Sequence, residues 1–159
     1  MAKQILGQGV WYDGDAKGYI ALDITENMTP LPLQVFEGVE LLPKNEYHCS
    51  LVATRDYIAD EAREQEIADA VRDFLQTHKL HFVSLGEERY ICRKEGQMTM
   101  IGSVEIDGVD ELREFVQALI PDYKPPLCHV TLLKSEATEY GIGINSAEDL
   151  ERYCVAYSS

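Results

Sequence analysis

Two short segments, His48-Cys49-Ser50-Leu51 and His129-Val130-Thr131-Leu132, share one pattern: a histidine, a variable residue, a hydroxyl residue and a leucine. Each lies in a run that is rich in β-branched and apolar residues, which is typical of a β-strand. We therefore predict two motif strands, over residues 46–53 and 127–133. They are far apart in sequence and match each other in pattern.

Successive side chains of a strand point to opposite faces, so each motif presents its histidine and its hydroxyl together. His48 and Ser50 share one face of the first strand, and His129 and Thr131 share one face of the second. If the two strands face each other across a groove, two imidazoles and two hydroxyls converge on one spot, a set that suits a phosphate. Either motif alone is more often a partly exposed strand histidine with a local hydrogen bond. The other two histidines of the chain lack the hydroxyl partner.

Length and composition limit the class of protein. The chain has 159 residues, of which 45% are hydrophobic, and this fits a single domain over residues 1–159 with a substantial core. It contains no apolar run of membrane-spanning length and no basic-then-apolar leader. We expect a soluble, cytoplasmic, monomeric protein without membrane contacts.

The charge is the second constraint. There are 28 acidic against 14 basic residues, giving a formal net charge of −14. Such a charge repels polyanions, and no stretch interleaves Lys and Arg with aromatic residues as nucleic-acid-binding segments do. Long nucleic acid is therefore disfavoured as a partner, whereas a small phosphorylated substrate or the end of a short RNA fits. The same acidity is also common in ordinary soluble proteins.

The four cysteines, Cys49, Cys92, Cys128 and Cys154, are scattered without a C-x-x-C pair. We predict that all four are reduced and mostly buried. Two of them adjoin the motif histidines, which superficially resembles a zinc set. Adjacent residues of a strand point to opposite faces, so a histidine and its neighbouring cysteine cannot both reach one metal. We predict no metal and no cofactor.

Hydrophobic periodicity supplies the surrounding elements. Helices are predicted over 59–79 and 109–120. Strands are predicted over 19–25, 35–42, 81–85, 89–93, 98–106 and 141–144, and a helical turn opened by Ser146 leads to a closing apolar run over 153–157. Three prolines between residues 26 and 45 argue against a helix there. This order of elements predicts an α+β fold.

The paired motif resembles the signature of the two-histidine (2H) phosphoesterase superfamily, which includes 2′,3′-cyclic nucleotide phosphodiesterases and bacterial RNA 2′,5′-ligase-like proteins. The resemblance implies a bilobal fold, in which two pseudo-symmetric halves of mainly antiparallel sheet with outer helices each supply a motif strand to a central groove. It implies that His48 and His129 are the acid/base pair and that Ser50 and Thr131 bind phosphate oxygens. Many members have Thr at the first hydroxyl position and a helix before the first motif. Ser50 and the proline-bearing segment depart from this, as in a divergent member.

Residues beside the motifs are further candidates for substrate binding. Arg55 could neutralise a phosphate and Tyr47 could stack on a base, although residues that flank strands more often only pack. Trp11 lies in an opening segment rich in Gly and Asp, over residues 7–18. It is either a lid over a pocket or, more simply, an aromatic anchor in an ordered loop.

These observations predict a phosphoric diester hydrolase that opens a cyclic phosphodiester, 2′,3′-cyclic nucleotide-like or another small phosphorylated substrate, without a metal. With ordinary imidazole pKa values near ~6.5, raised somewhat by the acidic surface, one histidine is neutral while the other is protonated. The resemblance favours His129 as base and His48 as acid. Two alternatives stay open: a phosphate- or nucleotide-binding module without turnover, and an enzyme that processes the ends of short RNA. If the motifs matched by coincidence, the two histidines would lie far apart.

Overall fold

The computed structural model describes residues 3–14, 18–125, 127–136, 138 and 142–157. Within them are ten strands: β1 Gln4–Gly7, β2 Val10–Asp13, β3 Tyr19–Asp23, β4 Gln34–Phe36, β5 Val39–Pro43, β6 His48–Val52, β7 His81–Lys94, β8 Gln97–Asp107, β9 His129–Ser135 and β10 Cys154–Ala156. The same residues contain three α-helices: α1 Glu61–Phe74, α2 Val109–Leu119 and α3 Ala147–Tyr153. In this part of the chain no helix has both the length and the apolar character needed to cross a bilayer.

The strands form two antiparallel sheets, and the α+β class that the order of elements predicted is confirmed. One sheet has four strands in the order β1-β2-β3-β6, and the other has six in the order β10-β7-β8-β9-β5-β4. Both motif segments are strands, as predicted, but in different sheets. β6 is an edge strand of the smaller sheet, whereas β9 lies inside the larger sheet between β8 and β5. β6 and β9 contact each other where the sheets meet.

Two tight hairpins in the larger sheet follow from Glu-Gly dipeptides. Glu37-Gly38 joins β4 to β5, and Glu95-Gly96 joins β7 to β8. Both residues of each pair have positive φ, as in a type I′ turn, whose twist matches that of the strands it connects. The proline-bearing segment before the first motif therefore folds as a short hairpin and not as a helix.

One long strand, β7, replaces the two strands that were predicted over 81–85 and 89–93. Its pairing with β8 shifts register between Phe82 and Ser84 and again between Leu85 and Arg89. The polar stretch that indicated a break is thus accommodated as a bulge, which keeps the strand in the sheet. Gly86 permits the close approach of β7 to β8, because a Cβ there would lie 2.2 Å from the Ser103 hydroxyl oxygen.

Helix α1 ends earlier than its predicted limit at residue 79. It stops at Phe74, and the side chain of Gln8, from the turn between β1 and β2, lies over its end. Gln8 Nε2 donates to the carbonyl of Leu75 at 2.6 Å and to that of His78 at 2.8 Å. The first of these carbonyls belongs to the residue that caps the helix and the second to the turn that follows it. A contact from a distant turn thus satisfies backbone carbonyls at and after the helix end, and periodicity alone does not show such a contact.

Helix α2 matches its prediction closely, and the residue before it explains its start. Gly108 has a φ of 88°, and a Cβ there would lie 2.1 Å from the carbonyl oxygen of Lys79. Glycine is therefore required at this close approach. The helix turns Val109, Leu112 and Val116 into the core.

One large hydrophobic cluster joins both sheets to α1 and α2. Ile20 of β3, Ile67 of α1, Val116 of α2 and Leu133 of β9 all belong to it and are fully buried. Close packing in such a core leaves little room for one element to move relative to another. The two motif strands are thereby held in a fixed relative position.

The C-terminal segment differs from its prediction. Residues 142–144 form no strand, and Gly141, where the predicted strand begins, lies outside the described residues. The side chains of Ile142 and Ile144 pack instead in a second, small hydrophobic cluster. The predicted helical turn is α3, which Ser146 caps by accepting the N–H of Asp149 at 3.1 Å.

Cys92 and Cys154 form a disulfide between β7 and β10, so the prediction that all four cysteines are reduced was wrong for this pair. The register of the two strands sets their Cα atoms opposite each other, 4.0 Å apart. The spacing of cysteines along the sequence does not show which distant strands pair, or in which register. Cys49 and Cys128 are buried free thiols. Cysteine usage therefore no longer argues for a reducing compartment.

Candidate active site

A cavity of about 780 Å³ is lined by both motif strands. His48 and Ser50 reach it from β6, and His129 and Thr131 reach it from β9. Arg55, which was predicted to contact a phosphate, also lines it. The structure thus brings both imidazoles and both hydroxyls to one site.

Strand alternation produces this arrangement. The residues between the histidines and hydroxyls, together with the leucines that close each motif, point into the core: Cys49, Leu51, Val130 and Leu132 are each no more than 1% exposed. The core thus holds one face of each strand while the other face is left for the cavity.

Tyr47 does not join the site. It precedes His48 and so points to the opposite face, where only 2% of its surface is exposed. Its hydroxyl is buried without a hydrogen bond to the described residues. The structure offers this side chain no contact with a ligand in the cavity, because the alternation that exposes His48 buries its neighbour.

His129 is held by the backbone of the residues just before it. Its Nδ1 lies 2.7 Å from the carbonyl oxygen of Leu127. Since that oxygen only accepts, Nδ1 carries the proton and Nε2 keeps its lone pair in the neutral ring. Burial lowers the pKa of His129, against the opposing effect of the Leu127 carbonyl. The ring is therefore neutral at physiological pH and has one basic nitrogen.

His48 is held by aromatic rings. Its centroid lies 5.3 Å from that of Trp11 in an edge arrangement and 5.9 Å from that of Tyr19. Trp11 is only 6% exposed. Of the two roles that the sequence left open, a lid or an anchor, it therefore has that of the anchor. Burial lowers the pKa of His48 to about 4, and the charges of Lys44 and Lys3 lower it further.

The expectation of ordinary or slightly raised histidine pKa values was wrong. The net charge of the chain is negative, but the charges close to His48 are mainly lysines. Desolvation disfavours the imidazolium, and near positive charge adds to it. Local surroundings outweigh the distant acidic surface because solvent screens the latter.

Basic side chains gather around the cavity although none cluster in sequence. Lys3, Lys44, Arg55 and Lys94 line it, together with three carboxylates, Asp13, Asp56 and Asp149. Within the described part of the chain, Lys44 makes no ion pair or hydrogen bond. Burial lowers the pKa of Lys44, and the charge of Lys134 lowers it further against the effect of Glu46. A half-buried ammonium that forms no ion pair with the described residues, close to the His48 imidazole, attracts an anion.

A β-bulge places Lys134 on the face of β9 that carries Thr131. In the pairing of β8 with β9, Ile101 faces Thr131 and the next residue of β8, Met100, faces Leu133. The extra residue on β9 resets the alternation, so Lys134 falls on the face of Thr131. In a regular strand it would fall on the opposite face.

Arg55 has a structural connection as well as a place in the cavity. Its guanidinium lies 3.4 Å from the carboxylate of Glu64, which is 1% exposed, and donates to the carbonyl of Gly14 at 2.5 Å. Glu64 also accepts the Tyr12 hydroxyl at 2.6 Å and the Thr54 hydroxyl at 3.2 Å. Arg55 thus neutralises a buried carboxylate and joins β2, α1 and the cavity wall.

The C-terminal segment closes one wall of the cavity, which sequence reasoning missed. Ile142, Ile144, Asn145 and Asp149 line the cavity. The side chain of Asn145 donates to the carboxylate of Asp56 at 3.0 Å, so this wall is joined to the segment that follows β6.

The lysines were also missed as contacts of the cavity. Lys44 lies four residues before His48 and Lys3 lies near the N-terminus, and neither stands in a motif. Lys3 precedes β1 and Lys44 follows β5, so the packing of strands distant in sequence brings both lysines to the site.

Among the described residues, no three His, Cys, Asp or Glu side chains are grouped so that they could hold one metal ion. Comparisons with models of protein families, with curated proteins and with solved structures found no match to this chain. The function is therefore inferred from the cavity itself.

Proposed function

We propose that this protein is a metal-independent phosphodiesterase that hydrolyses a small cyclic phosphodiester, such as a nucleoside 2′,3′-cyclic phosphate, with His48 and His129 as its acid/base pair. One observation carries the proposal: two strands of different sheets each bring a histidine and a hydroxyl to one cavity. This is the arrangement that the resemblance to two-histidine phosphoesterases implies. In it, each sheet with its motif strand represents one of two related halves.

His129 fits the role of general base. Its Nδ1 proton is engaged by Leu127, so Nε2 is free to take a proton from water. The water oxygen then attacks phosphorus and the bond from phosphorus to one ring oxygen breaks. The attacking and leaving oxygens lie roughly in line, so a proton donor is needed on the opposite side.

His48 fits the role of general acid once a substrate is bound. With a pKa of about 4 it is neutral in the ligand-free protein at physiological pH. A phosphodiester anion beside it favours the imidazolium and raises its pKa, so that substrate and proton bind together. His48 then gives this proton to the leaving sugar oxygen, and the product is a phosphomonoester.

The remaining groups stabilise the phosphoryl oxygens. Ser50 and Thr131 are placed to donate hydrogen bonds, and Lys44 supplies an ammonium that no described carboxylate pairs with in a salt bridge. Donors that are already oriented stabilise developing charge without reorganising at the moment of reaction. This local positive charge also explains how a protein with a net charge of −14 binds an anion.

One observation favours the alternative of a binding module without turnover. A pKa of about 4 leaves His48 without the proton that an acid must supply, unless the ligand restores it. A module would bind a phosphate anion and take up a proton, and the chemistry would stop there. Turnover therefore distinguishes the two, and binding does not.

The test is an assay of the purified protein, in excess chelator, with the four nucleoside 2′,3′-cyclic phosphates, in which the monoester is followed by phosphorus NMR. We expect turnover that His48→Ala and His129→Ala each lower about a hundredfold or more. His81→Ala is the matched control, since His81 is an exposed histidine at the start of β7 and does not line the cavity. Binding without turnover would establish the module, and activity that needs an added divalent metal would refute the proposed mechanism.

A further inference from the structure

The charged groups of the cavity are sorted along β6. Lys44 precedes this strand and Asp56 follows it, and both line the cavity together with His48 and Ser50, which lie between them. A strand rises about 3.3 Å per residue, so the five residues of β6 set its two ends about 13 Å apart. Along β6 the cavity is therefore long enough to hold a nucleoside as well as a phosphate.

The start of β6 is the cationic end of the cavity. The charges that most lower the pKa of His48 are those of Lys44 and Lys3, and the carboxylate that acts on it, Asp23, does not line the cavity. His129 is only 8% exposed and lines the same cavity, and its Nε2 accepts no hydrogen bond from the described residues. A buried ring nitrogen that reaches a cavity without a partner indicates that a ligand binds there.

The opposite end carries hydrogen-bond acceptors, and we call Asp56, Asn145 and Asp149 the acceptor end. All three line the cavity. The side chain of Asn145 donates to Asp56 at 3.0 Å, and its backbone N–H donates to Oδ2 of Asp149 at 3.0 Å. Neither carboxylate forms an ion pair within the described part of the chain. A carboxylate has about four acceptor positions, so each of the two keeps unused lone pairs.

Two cations that also line the cavity have other partners. The Arg55 guanidinium lies 3.4 Å from the buried carboxylate of Glu64, and the Lys94 ammonium lies 4.8 Å from the centroid of the Tyr153 ring. Neither cation forms an ion pair with the acceptor end. The acceptor end therefore repels a phosphate and attracts a group that donates hydrogen bonds.

Apolar surface lies beside these acceptors. Ile142 and Ile144, just before Asn145 in the chain, line the cavity and pack in the small hydrophobic cluster. They are 7% and 2% exposed, so the cluster holds them in place. Apolar side chains next to carboxylates match a flat heterocycle, whose faces are apolar and whose edge donates hydrogen bonds. A simple amine would leave the apolar surface unused.

We propose that the acceptor end binds the base of the cyclic nucleotide and selects guanine, whose N1–H and amino group donate to Asp149. This rests on the proposed hydrolysis of a nucleoside 2′,3′-cyclic phosphate. A nucleotide carries its phosphate and its base on opposite sides of the ribose, so a phosphate held by His48 and His129 directs the base away from the lysines. Asp149 is half-buried whereas Asp56 is exposed, and partial exclusion of water strengthens the hydrogen bonds of Asp149.

The four bases differ in the edge that they present to a carboxylate. Guanine presents two adjacent N–H donors, which pair with the carboxylate oxygens through two parallel hydrogen bonds. Adenine and cytosine present one amino group beside an acceptor nitrogen, and uracil presents one N–H between two carbonyl oxygens. Acceptors on the base repel the carboxylate. The expected order of preference is guanine first, adenine and cytosine next, and uracil last.

The first experiment compares the bases on the purified protein. We measure kcat/KM for the four nucleoside 2′,3′-cyclic phosphates, and by calorimetry the Kd of the guanosine and uridine 2′- and 3′-monophosphates, which are the possible products. We expect guanosine to be favoured over uridine about tenfold or more in both quantities, because hydrogen bonds to a charged group are lost with uridine.

The outcomes separate this proposal from the proposed hydrolysis. Turnover with equal kcat/KM for the four bases would overturn the selection of guanine and leave the hydrolysis intact. Tighter binding of the guanosine monophosphates without turnover of any cyclic phosphate would support the base site and overturn the hydrolysis. Absence of both binding and turnover would overturn both.

The variant Asp149→Asn tests the carboxylate itself. Its amide keeps an oxygen for the N–H of Asn145, but its NH₂ group opposes the donors of guanine. The ratio of kcat/KM for guanosine to that for uridine should fall about tenfold, while the uridine value stays near that of the wild type. Glu148→Gln is the matched control, because it removes the same charge from an exposed neighbour that does not line the cavity.

The control should keep the wild-type ratio. An unchanged ratio in a folded Asp149→Asn variant, or an equal fall in Glu148→Gln, would refute the role of Asp149. Circular dichroism shows whether α3 and the rest of the variant are folded. If Asp149→Asn does not fold, the comparison of the four bases on the wild type decides the proposal.

Discussion

The two motif strands carry the same pattern in opposite surroundings. β9 lies between two hydrogen-bonded neighbours, and its histidine is fixed by a hydrogen bond of 2.7 Å to the carbonyl of Leu127, two residues earlier. β6 is an edge strand, and its histidine lies against Trp11 and Tyr19 with the charge of Lys44 nearby. One imidazole is thus fixed in tautomer, while the other is fixed in position and readily changed in charge.

This difference separates two roles that the sequence could not separate. A base needs a neutral ring with a defined lone pair, which the Leu127 carbonyl provides for His129. An acid needs a proton that arrives with the substrate, which a low pKa in the free site and a neighbouring anion provide for His48. The sequence motif specifies which groups are present, and the strand environment specifies what each does.

The largest expected effect comes from replacing the two histidines, which tests the difference between their roles directly. His48→Ala and His129→Ala should each lower kcat about a hundredfold or more, because general acid or base catalysis contributes at least that much. On a phosphodiester with a p-nitrophenolate leaving group, which needs no proton to depart, His48→Ala should recover much of its activity. His129→Ala should not recover. Steady-state kinetics on both substrates measures this.

Both variants should remain folded, as far-UV circular dichroism would confirm. If the p-nitrophenyl substrate rescues His129→Ala and leaves His48→Ala inactive, the acid and base assignments are reversed. If neither variant loses activity on the cyclic substrate, the two-histidine mechanism is wrong.

The second prediction concerns stability against pH. The pKa of His48 is about 4 in the folded protein and about 6.5 when unfolded, so between these values the unfolded chain binds more protons. Stability is therefore fully present above pH ~6.5 and falls as the pH drops towards 4, by up to about 3 kcal/mol from this group. Urea unfolding at pH 7 and pH 4.5 measures the loss.

His48→Gln is the matched variant, because it keeps a polar side chain but does not titrate. Its stability should fall less over this pH range than that of the wild type, and the remaining fall includes the lowered pKa of His129. Inorganic phosphate should raise the pKa of His48 in a proton NMR titration. An equal pH dependence of stability in wild type and variant would refute the low pKa.

These histidines also show which features of the site the sequence alone predicts and which it does not. Alternation along a strand is a local rule, so the motif strands, their faces and the burial of Cys49 and Val130 followed from the pattern. The α+β class followed from the order of elements in the same way. The pKa values did not, because they depend on Lys44 and on desolvation, which only the assembled fold determines.

The other errors have the same origin. Carbonyls at the end of α1 depend on Gln8 for a hydrogen bond, the continuity of β7 depends on a glycine that fits against Ser103, and the Cys92–Cys154 disulfide depends on strand register. Each is a contact between segments distant in sequence. Local periodicity carries no information about such contacts, whereas it does predict which residues share a face.

The third prediction compares the two hydroxyls. Thr131→Val removes a donor from a strand paired on both sides, and Ser50→Ala removes one from an edge strand. A hydrogen bond to a charged group contributes about 1.5 to 3 kcal/mol, so we expect a loss of about tenfold or more in kcat/KM for Thr131→Val. The loss for Ser50→Ala should be smaller, since its strand is less firmly positioned.

The hydroxyl-retaining variants Thr131→Ser and Ser50→Thr are the controls and should keep most of the activity. If Ser50→Ala proved the more damaging change, the firmer positioning of β9 would not be what sets the strength of these contacts. The measurement is kcat/KM on the cyclic substrate at a single pH.

The smallest expected effect tests the ammonium that distinguishes the β6 side. Lys44→Met keeps the length of the side chain and removes its charge, so KM for an anionic substrate should rise about fivefold or less, in line with a charge contact that remains partly open to solvent. The rise should shrink at high salt, because screening weakens the attraction in the wild type.

Lys44 also lowers the pKa of His48, so this pKa should move upward in the variant, while that of His129 should change little. Lys124→Met is the control, since Lys124 is exposed and does not line the cavity. Equal movement of both histidine pKa values in Lys44→Met would mean that Lys44 acts on the whole cavity, and the contrast between the two strands would then rest on burial and the Leu127 carbonyl alone.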